Sequence, residues 1–572
     1  MKKIFIALTV ACAALFLTSC EGMLEIQKKG VISLEDFYQT DADAESALVN
    51  VYYQGGRWLS NTMGTEAGWN ECPLLNPFEY ASDDMFAAGN DKADGVEGNQ
   101  INAFWYDNTN SVITGSYHCY YMIITACNQL LDHFADAADT QVKKRCVAEA
   151  RVMRAYMHLI LAMGWNNPPL VDHVLDGNDR PANVESQAYL LQWVADECDK
   201  ALNDLDERSA KTDKDGCVKI TKGFCNAIKG KALLFKGDYS GAKKALKAVI
   251  DSQKYDLVPG EKMNTLYHYS GRGNEETVFE FNLKYDATVD GYYQRAQPNF
   301  KMLWGWRGDK MNLPKGKGTE ITGDNTWGWC NPSAKFVNAI LAEDGYDSYR
   351  RKAWIKSYDE ILYEMPYTSD GDDPVMGKTD FKEADKDRGI IAADGIYGNV
   401  GYFMWKRLYR MEDKTPSGEI QWNLVVMRYA EVLLMYAECC AMDNDPDGLA
   451  VLKKIQQRAG VPAAKQSTAL TLKAVQDEKF IECWLEGSRF PDLVRWGIAA
   501  TELADNGKYL PNYCDAMYSK GEAKHRGYID ETDAKWCTTA HPDMGFNKDK
   551  HSYFPIPFAE KNVNPNIKSW NE

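Results

Sequence analysis

Between Tyr117 and Ile250 the apolar residues of this chain recur at helical spacing in one helix-length segment after another, and that succession constrains the fold more than any other feature. Tyr117 to Phe134 comes first, then Val142 to Trp165, whose second half reads RVMRAYMHLILAMGW before Pro168-Pro169 stops it, proline lacking the amide hydrogen a helix needs. Tyr189 to Leu205, Thr221 to Lys236 and Tyr239 to Ile250 follow, with turns as short as Lys236-Gly237-Asp238 between them. An amphipathic segment of this length must bury its apolar stripe against a neighbour. Small residues at the expected contacts, Ala227, Gly230, Ala232, Ala242 and Ala245, allow close pairing of successive helices. The pattern predicts a mainly α chain: a tetratricopeptide-like helical repeat scaffold of degenerate repeats, with long irregular loop segments and a few short strands.

The scaffold is split in sequence. Thr40-Asp41-Ala42-Asp43 supplies a cap and an acidic first turn for a helix whose apolar face is Ala44, Ala47, Leu48, Val51 and Tyr52. Helices resume at Val426 to Met442, Asp447 to Ala459 and Leu472 to Leu485. The expected scaffold therefore covers 33–54, 111–250 and 426–572. Residues 55–110 and 251–425 interrupt it, rich in Gly, Asn and aromatics, with one strand-like run from Thr277 to Leu283. Loops of this length are ordinarily functional or disordered, and such aromatic content argues against disorder.

Near the C-terminus, EKFIECWLEGSRFPDLVRW (478–496) reads as a charged helical corner. Glu478, Glu482 and Glu486 repeat at i, i+4, i+8 beside an apolar stripe; Gly487 ends the helix, and Arg489, Asp492 and Arg495 recur around Phe490, Leu493 and Trp496. The spacing predicts that Arg489, Asp492 and Arg495 pair with Glu478, Glu482 or Glu486, a structural role.

The first residues set the compartment. Lys2 and Lys3, an apolar run from Ile4 to Leu17 and then Leu17-Thr18-Ser19-Cys20 make a secretory signal (1–19) ending in a lipobox, too short to span a bilayer. Similarity to bacterial lipoproteins implies cleavage before Cys20 and its lipidation, a short tether over 20–32, and a single domain over 33–572. The formal charge of −17 makes nucleic acid and anionic head groups poor partners. Of the 15 cysteines, Cys12 leaves with the signal and Cys20 carries lipid; the rest show no CxxC spacing and read mainly as small buried apolar residues, as at Cys127 and Cys439.

Several chemistries lack support. Asp443 to Gly448 begins like a calcium loop, yet Lys454 stands where a bidentate Glu is needed, so a cap and turn is expected. The 8 histidines are scattered without HExxH, and no GxSxG or phosphate loop occurs, so no catalytic residue, metal or cofactor is assigned. A glycosidase carboxylate pair stays open, because such pairs are distant in sequence.

Taken in order, the motifs resemble the SusD/RagB-like outer-membrane lipoproteins of Bacteroidetes over nearly the whole mature chain. DFYQTDADAESALVNVYY (36–53), YMIITACNQLL with Tyr121, Ile124 and Asn128, the Arg151 to Pro168 helix, VMRYAEVLLMYAE (426–438), QQRAG ending at Gly460, the 478–496 corner and YFPIPFAEKNVNPN (553–566) carry the resemblance. Lys479, Cys483, Tyr117 and Lys568-Ser569 depart from the usual pattern at scaffold positions. The resemblance implies a non-enzymatic protein, lipid-anchored at the outer membrane and facing the exterior, that captures an oligo- or polysaccharide and passes it to a SusC-like TonB-dependent transporter. The alternatives are a peptide-binding member of the family or, further off, a surface glycoside hydrolase.

Sugars combine apolar C–H faces with a rim of hydroxyls, so their sites pair aromatic rings with amides and carboxylates. The irregular segments offer Trp69, Asp83, Asp84, Trp105 and Asn108 in the first, and Tyr293, Trp304, Trp306, Trp327 and Trp329 in the second. The family resemblance places a platform and a polar partner just before the Tyr121 helix, at Trp105 and Asn108, and an opposing wall in the central segment. Trp105 with one of the central tryptophans is the expected platform, and Asn108, Asp83 or Asp84 the expected hydroxyl partners.

Overall fold

The computed structural model describes residues 37–61, 70–89, 94–284, 303–305, 327–357, 402–410, 421–507 and 544–572, together with Glu360 and Asp413. Cys20 and the tether lie outside them, as do Trp69, Tyr293 and Trp306. The first helix, α1, runs Asp41–Ser60. Thr40 caps it: its hydroxyl accepts from the Asp43 amide at 3.2 Å while the Asp43 carboxylate accepts from the Thr40 amide at 2.8 Å, which satisfies two otherwise orphaned donors. The helix continues past residue 54, where the sequence reading ended it, and its last turn buries Trp58.

Two short helices, α2 (Asn76–Tyr80) and α3 (Val96–Asn102), lie within the first irregular segment. The expected succession follows as α4 (Ser111–Phe134), α5 (Gln141–Trp165), α6 (Gln187–Ala201), α7 (Lys222–Lys236) and α8 (Tyr239–Asp251). Each packs on the next, and α5 is buried along nearly its whole length, so it is the central rod of this half. In the C-terminal half α11 (Tyr429–Asp443), which packs against α8, joins the two parts of the scaffold, with α12 (Asp447–Ala459) and α13 (Leu472–Glu482) stacked behind it. Asp443 to Gly448 is the turn between α11 and α12, where Lys243 bridges Asp443 at 2.7 Å and Asp445 at 3.3 Å.

Among the described residues strands are few and short. In the central segment Thr277–Lys284 (β2) pairs antiparallel with Gln421–Arg428 (β6), Phe281 opposite Leu424. This corrects the sequence reading at Val426 to Arg428, which are strand; the helix begins at Tyr429. Met85–Phe86 (β1) pairs with Asn331–Pro332 (β3), and Ile355–Ser357 (β4) with Tyr402–Met404 (β5). The helices α9 (Ala334–Glu343) and α10 (Tyr349–Trp354) lie between β3 and β4.

The charged corner is structural but pairs differently from the expectation. Helix α13 ends at Glu482, and the chain reverses through Leu485 (φ 57) and Gly487 (φ 75), so Glu486 leaves the i, i+4 row. Glu482 is fully buried and meets Arg458 at 2.6 Å, Arg428 at 2.9 Å and Arg350 at 3.0 Å. Glu478 also meets Arg350, and Glu486 meets Lys406 and Arg428, each at 2.5 Å. Glu276 bridges Arg428 at 2.5 Å and Arg458 at 2.8 Å. The other three charges turn elsewhere from α14 (Arg489–Arg495): Asp492 to Lys479 at 2.6 Å and Arg495 at 2.8 Å, Arg495 also to Glu438, and Arg489 to Asp83 at 2.8 Å. Each of these buried charges thus has an opposite charge beside it, which offsets the cost of removing it from water.

Candidate functional site

The two irregular segments meet. Beyond the β1–β3 pair, the Ser333 amide donates to the Asp84 carbonyl and the Ser333 hydroxyl to the Asp83 carbonyl, both at 2.9 Å. This seam brings Trp327 and Trp329 against the turn that opens α3. There the chain forms a cavity of about 540 Å³, lined by Trp327, Trp329, Asp94, Gly95, Val96, Glu97, Gly98, Tyr80, Glu71 and Val112.

The indoles of Trp327 and Trp329 lie 5.1 Å apart at 34°. Trp329 is the fixed member: it is buried, its Nε1 donates to Asp94 Oδ1 at 3.2 Å, and its ring lies flat on Gly95. A Cβ at residue 95 would stand 2.8 Å from the Trp329 ring, and φ there is +66°, so glycine is required on both counts. Trp327 is half-buried and presents the more accessible indole, with Val96 and Glu97 exposed beside it. Tyr80 and Glu71 form the deeper wall; burial pushes the Tyr80 phenol well above its ordinary pKa.

Trp105 and Asn108 sit at the other end of α3. The Trp105 amide donates to the Gln100 carbonyl at 3.1 Å, and the Asn108 carbonyl accepts from Phe558 N at 2.9 Å. Asn110 ties the two ends together by capping α4 while donating to the Glu97 carbonyl at 3.0 Å and Gln100 Oε1 at 2.9 Å. Both Trp105 and Asn108 are half-buried, and neither lines the cavity. A seven-residue helix spans about 10 Å, which sets the separation of the two faces.

Three expected contacts turn inward. Trp304 is a core ring, 1 % exposed, with the Arg407 guanidinium 5.1 Å from its centroid. Asp83 is buried in an ion cluster with Arg489 and Lys335. Burial opposes its ionisation, but those two cations outweigh it and hold its carboxyl below the usual range. Asp84 accepts from the Ser82 hydroxyl at 2.5 Å; burial first, then the Asp83 charge, pushes its pKa up to about 7. These side chains hold the seam and cannot reach a ligand's hydroxyls. Sequence reasoning missed Asp94, Val96 and Glu97. Asp94-Gly95 followed by a short amphipathic stretch was a readable helix start, hidden by treating 55–110 as one irregular block.

The structure is thus a helical scaffold with a cavity lined by two tilted indoles and by carboxylates. Residues 275–572 match the model of the SusD family, just over half the chain, and the chain belongs to that family, whose members are non-catalytic. It is 22% identical over 562 residues to a SusD-like protein of Bacteroides ovatus, covering 92% of this chain and 86% of that one. It is also 22% identical to SusD-like protein P38 of Formosa agariphila, covering 86% and 91%. Among solved structures, a laminarin-binding SusD-like protein superposes with a TM-score of 0.68 at 21% identity, over 94% of this chain and 100% of the other. Surface glycan-binding protein A of Bacteroides thetaiotaomicron in complex with laminarihexaose gives 0.66 at 19% identity, over 93% and 100%. At these identities the structural likeness speaks for the fold.

Proposed function

We propose that this protein is a cell-surface glycan-binding lipoprotein that captures an oligo- or polysaccharide and delivers it to a SusC-like TonB-dependent transporter. The observation that carries the reading is the accessible Trp327 indole, backed by Trp329, with the Asp94 and Glu97 carboxylates at its edge. An indole face takes the C–H side of a pyranose, and carboxylates accept from its hydroxyls. Trp105 and Asn108, about 10 Å further along α3, extend the contact for a longer chain. The stacked helix pairs serve as a tetratricopeptide-like scaffold, and the Cys20 lipid holds the protein at the outer membrane.

The test is a native affinity gel with a panel of neutral polysaccharides, run beside circular dichroism. Trp327→Ala is expected to weaken retention by about tenfold with an unchanged spectrum, the loss of one stacked, partly buried ring. Retention equal to wild type removes Trp327 from the site. Cys20→Ala is expected to move the protein from the membrane fraction to the soluble one, and co-purification from gently solubilised membranes to recover a transporter.

A further inference from the structure

A second cavity, of about 510 Å³, lies between α1 and β2. Its floor is Phe281 and Leu283, and its rim carries Val49, Tyr53, Arg57 and Asn282. The cavity exists because α1 approaches β2 closely: a Cβ at Gly55 would stand 2.9 Å from the Phe281 ring.

Two adjacent tyrosines on α1 divide the work. Tyr52 is pinned, its hydroxyl donating to Glu149 at 2.5 Å and accepting from the Ile220 amide at 2.7 Å. Tyr53 is 51% exposed and its hydroxyl bonds to nothing among the described residues; Val49, one turn earlier, is 66% exposed. The Asn282 amide is exposed at the facing edge and is likewise without a hydrogen bond among the described residues. Large apolar side chains held outward around a concavity mark a contact surface. An open ring faced by an amide, which offers both donors and an acceptor, matches the apolar face and adjacent hydroxyls of one sugar unit.

We infer that the Tyr53–Asn282 cavity is an accessory glycan subsite, engaging a second stretch of the same polysaccharide held at Trp327. Tyr53 stacks on a sugar face and Asn282 bonds its hydroxyls. The inference rests on the glycan-binding reading above. Its consequence is selection for length: once one stretch is bound, the second binds at a raised effective concentration, which a short oligosaccharide cannot exploit.

The test uses the intact protein in native gels containing laminarin, starch, xylan or mannan, and calorimetry with the hexasaccharide of the polysaccharide that retards wild type most. Tyr53→Ala and, separately, Asn282→Ala are expected to weaken polysaccharide retention about fivefold while leaving hexasaccharide affinity unchanged. Trp327→Ala, by contrast, weakens both. Full retention by both accessory variants overturns the subsite. So does an equal loss of hexasaccharide binding accompanied by a lower melting temperature, which would make Tyr53 a scaffold residue. Unchanged retention with lost transporter co-purification overturns it as well, since the cavity would then belong to the protein partner. A wild type that none of the four polysaccharides retards overturns both this subsite and the glycan reading beneath it.

Discussion

The charge cluster around Glu482 and the cavity beneath Trp327 are both assembled from segments far apart in sequence, yet they use opposite physics. Around Glu482 the chain collects Arg350, Arg428, Arg458 and Lys406 against Glu276, Glu478 and Glu486, and every side chain is at most 9% exposed. At the cavity Trp329 is buried and bonded to Asp94, while Trp327 beside it is half-buried. The first region fixes how the central segment sits on the helices; the second exploits that fixity to hold an aromatic surface in place without covering it.

The comparison breaks first at Glu482. Replacing it with Ala removes a carboxylate shared by three buried guanidiniums, and breaking even one buried pair costs about 3–5 kcal/mol. Glu482→Ala is expected to lower the melting temperature sharply or to prevent folding, as read by circular dichroism. A variant that melts like wild type but no longer binds glycan would place Glu482 in the functional surface instead. The effect on Trp327→Ala should be the reverse: about tenfold weaker binding, roughly 1.4 kcal/mol, and no change in melting.

How much of this was legible in sequence differs between the two regions. Helical periodicity located α4 to α8, with the start of α4 at Ser111 rather than Tyr117 as the largest miss, because an apolar stripe is a local property of the chain. The strand-like run from Thr277 to Leu283 likewise became β2. Ion partners were not legible: spacing sets Glu482 beside the charges of 489–495, and its actual partners lie as far away as Arg350. Nor could the tryptophans be sorted. Trp304 and Trp327 sit in similar Gly-rich contexts, and only the packing of Arg407 and the β1–β3 seam makes one a core ring and the other a surface. Asp83 and Asp84 were not legible for the same reason, since a polar residue in a loop looks like a ligand contact until the fold buries it, Asp83 against Arg489 and Asp84 against the Ser82 hydroxyl.

Two buried carboxylates, one in the charged corner and one at the seam, titrate in opposite directions. Glu486 is held down to about 2: burial opposes its ionisation, but Arg428 and Lys406 outweigh it, so its stabilisation is complete above the unfolded carboxylate range and is lost as pH falls through about 2. Asp84 runs the other way. Burial and the Asp83 charge raise its pKa from 3.8 to about 7, so the folded state binds its proton more tightly than the unfolded state does, and that contribution is complete below 3.8 and lost as pH rises through about 7. Asp84→Asn removes the penalty. The variant is expected to melt above wild type at pH 8, with the difference shrinking toward pH 4. A difference independent of pH would mean that the Asp84 carboxyl does not titrate in this range.

The smallest expected effect is the sharpest control. Lys229 and Asp199 bridge α7 and α6 at 2.5 Å, as close as Arg458 and Glu482 at 2.6 Å, so distance alone would rank the two pairs together. Their surroundings differ: Asp199 is 53% exposed and Lys229 25%, whereas Glu482 is fully buried and Arg458 5% exposed. In water the attraction of an exposed pair is largely offset by hydration and by the entropy of holding two long side chains, leaving at most about 1 kcal/mol. Lys229→Ala should therefore shift chemical denaturation by under about 1 kcal/mol, and any shift should shrink further in high salt, because exposed charges are screened and buried ones are not. A loss matching that of Glu482→Ala and insensitive to salt would show that contact geometry, rather than burial, sets the strength of these pairs, and the contrast between the sealed corner and the open surface would no longer hold.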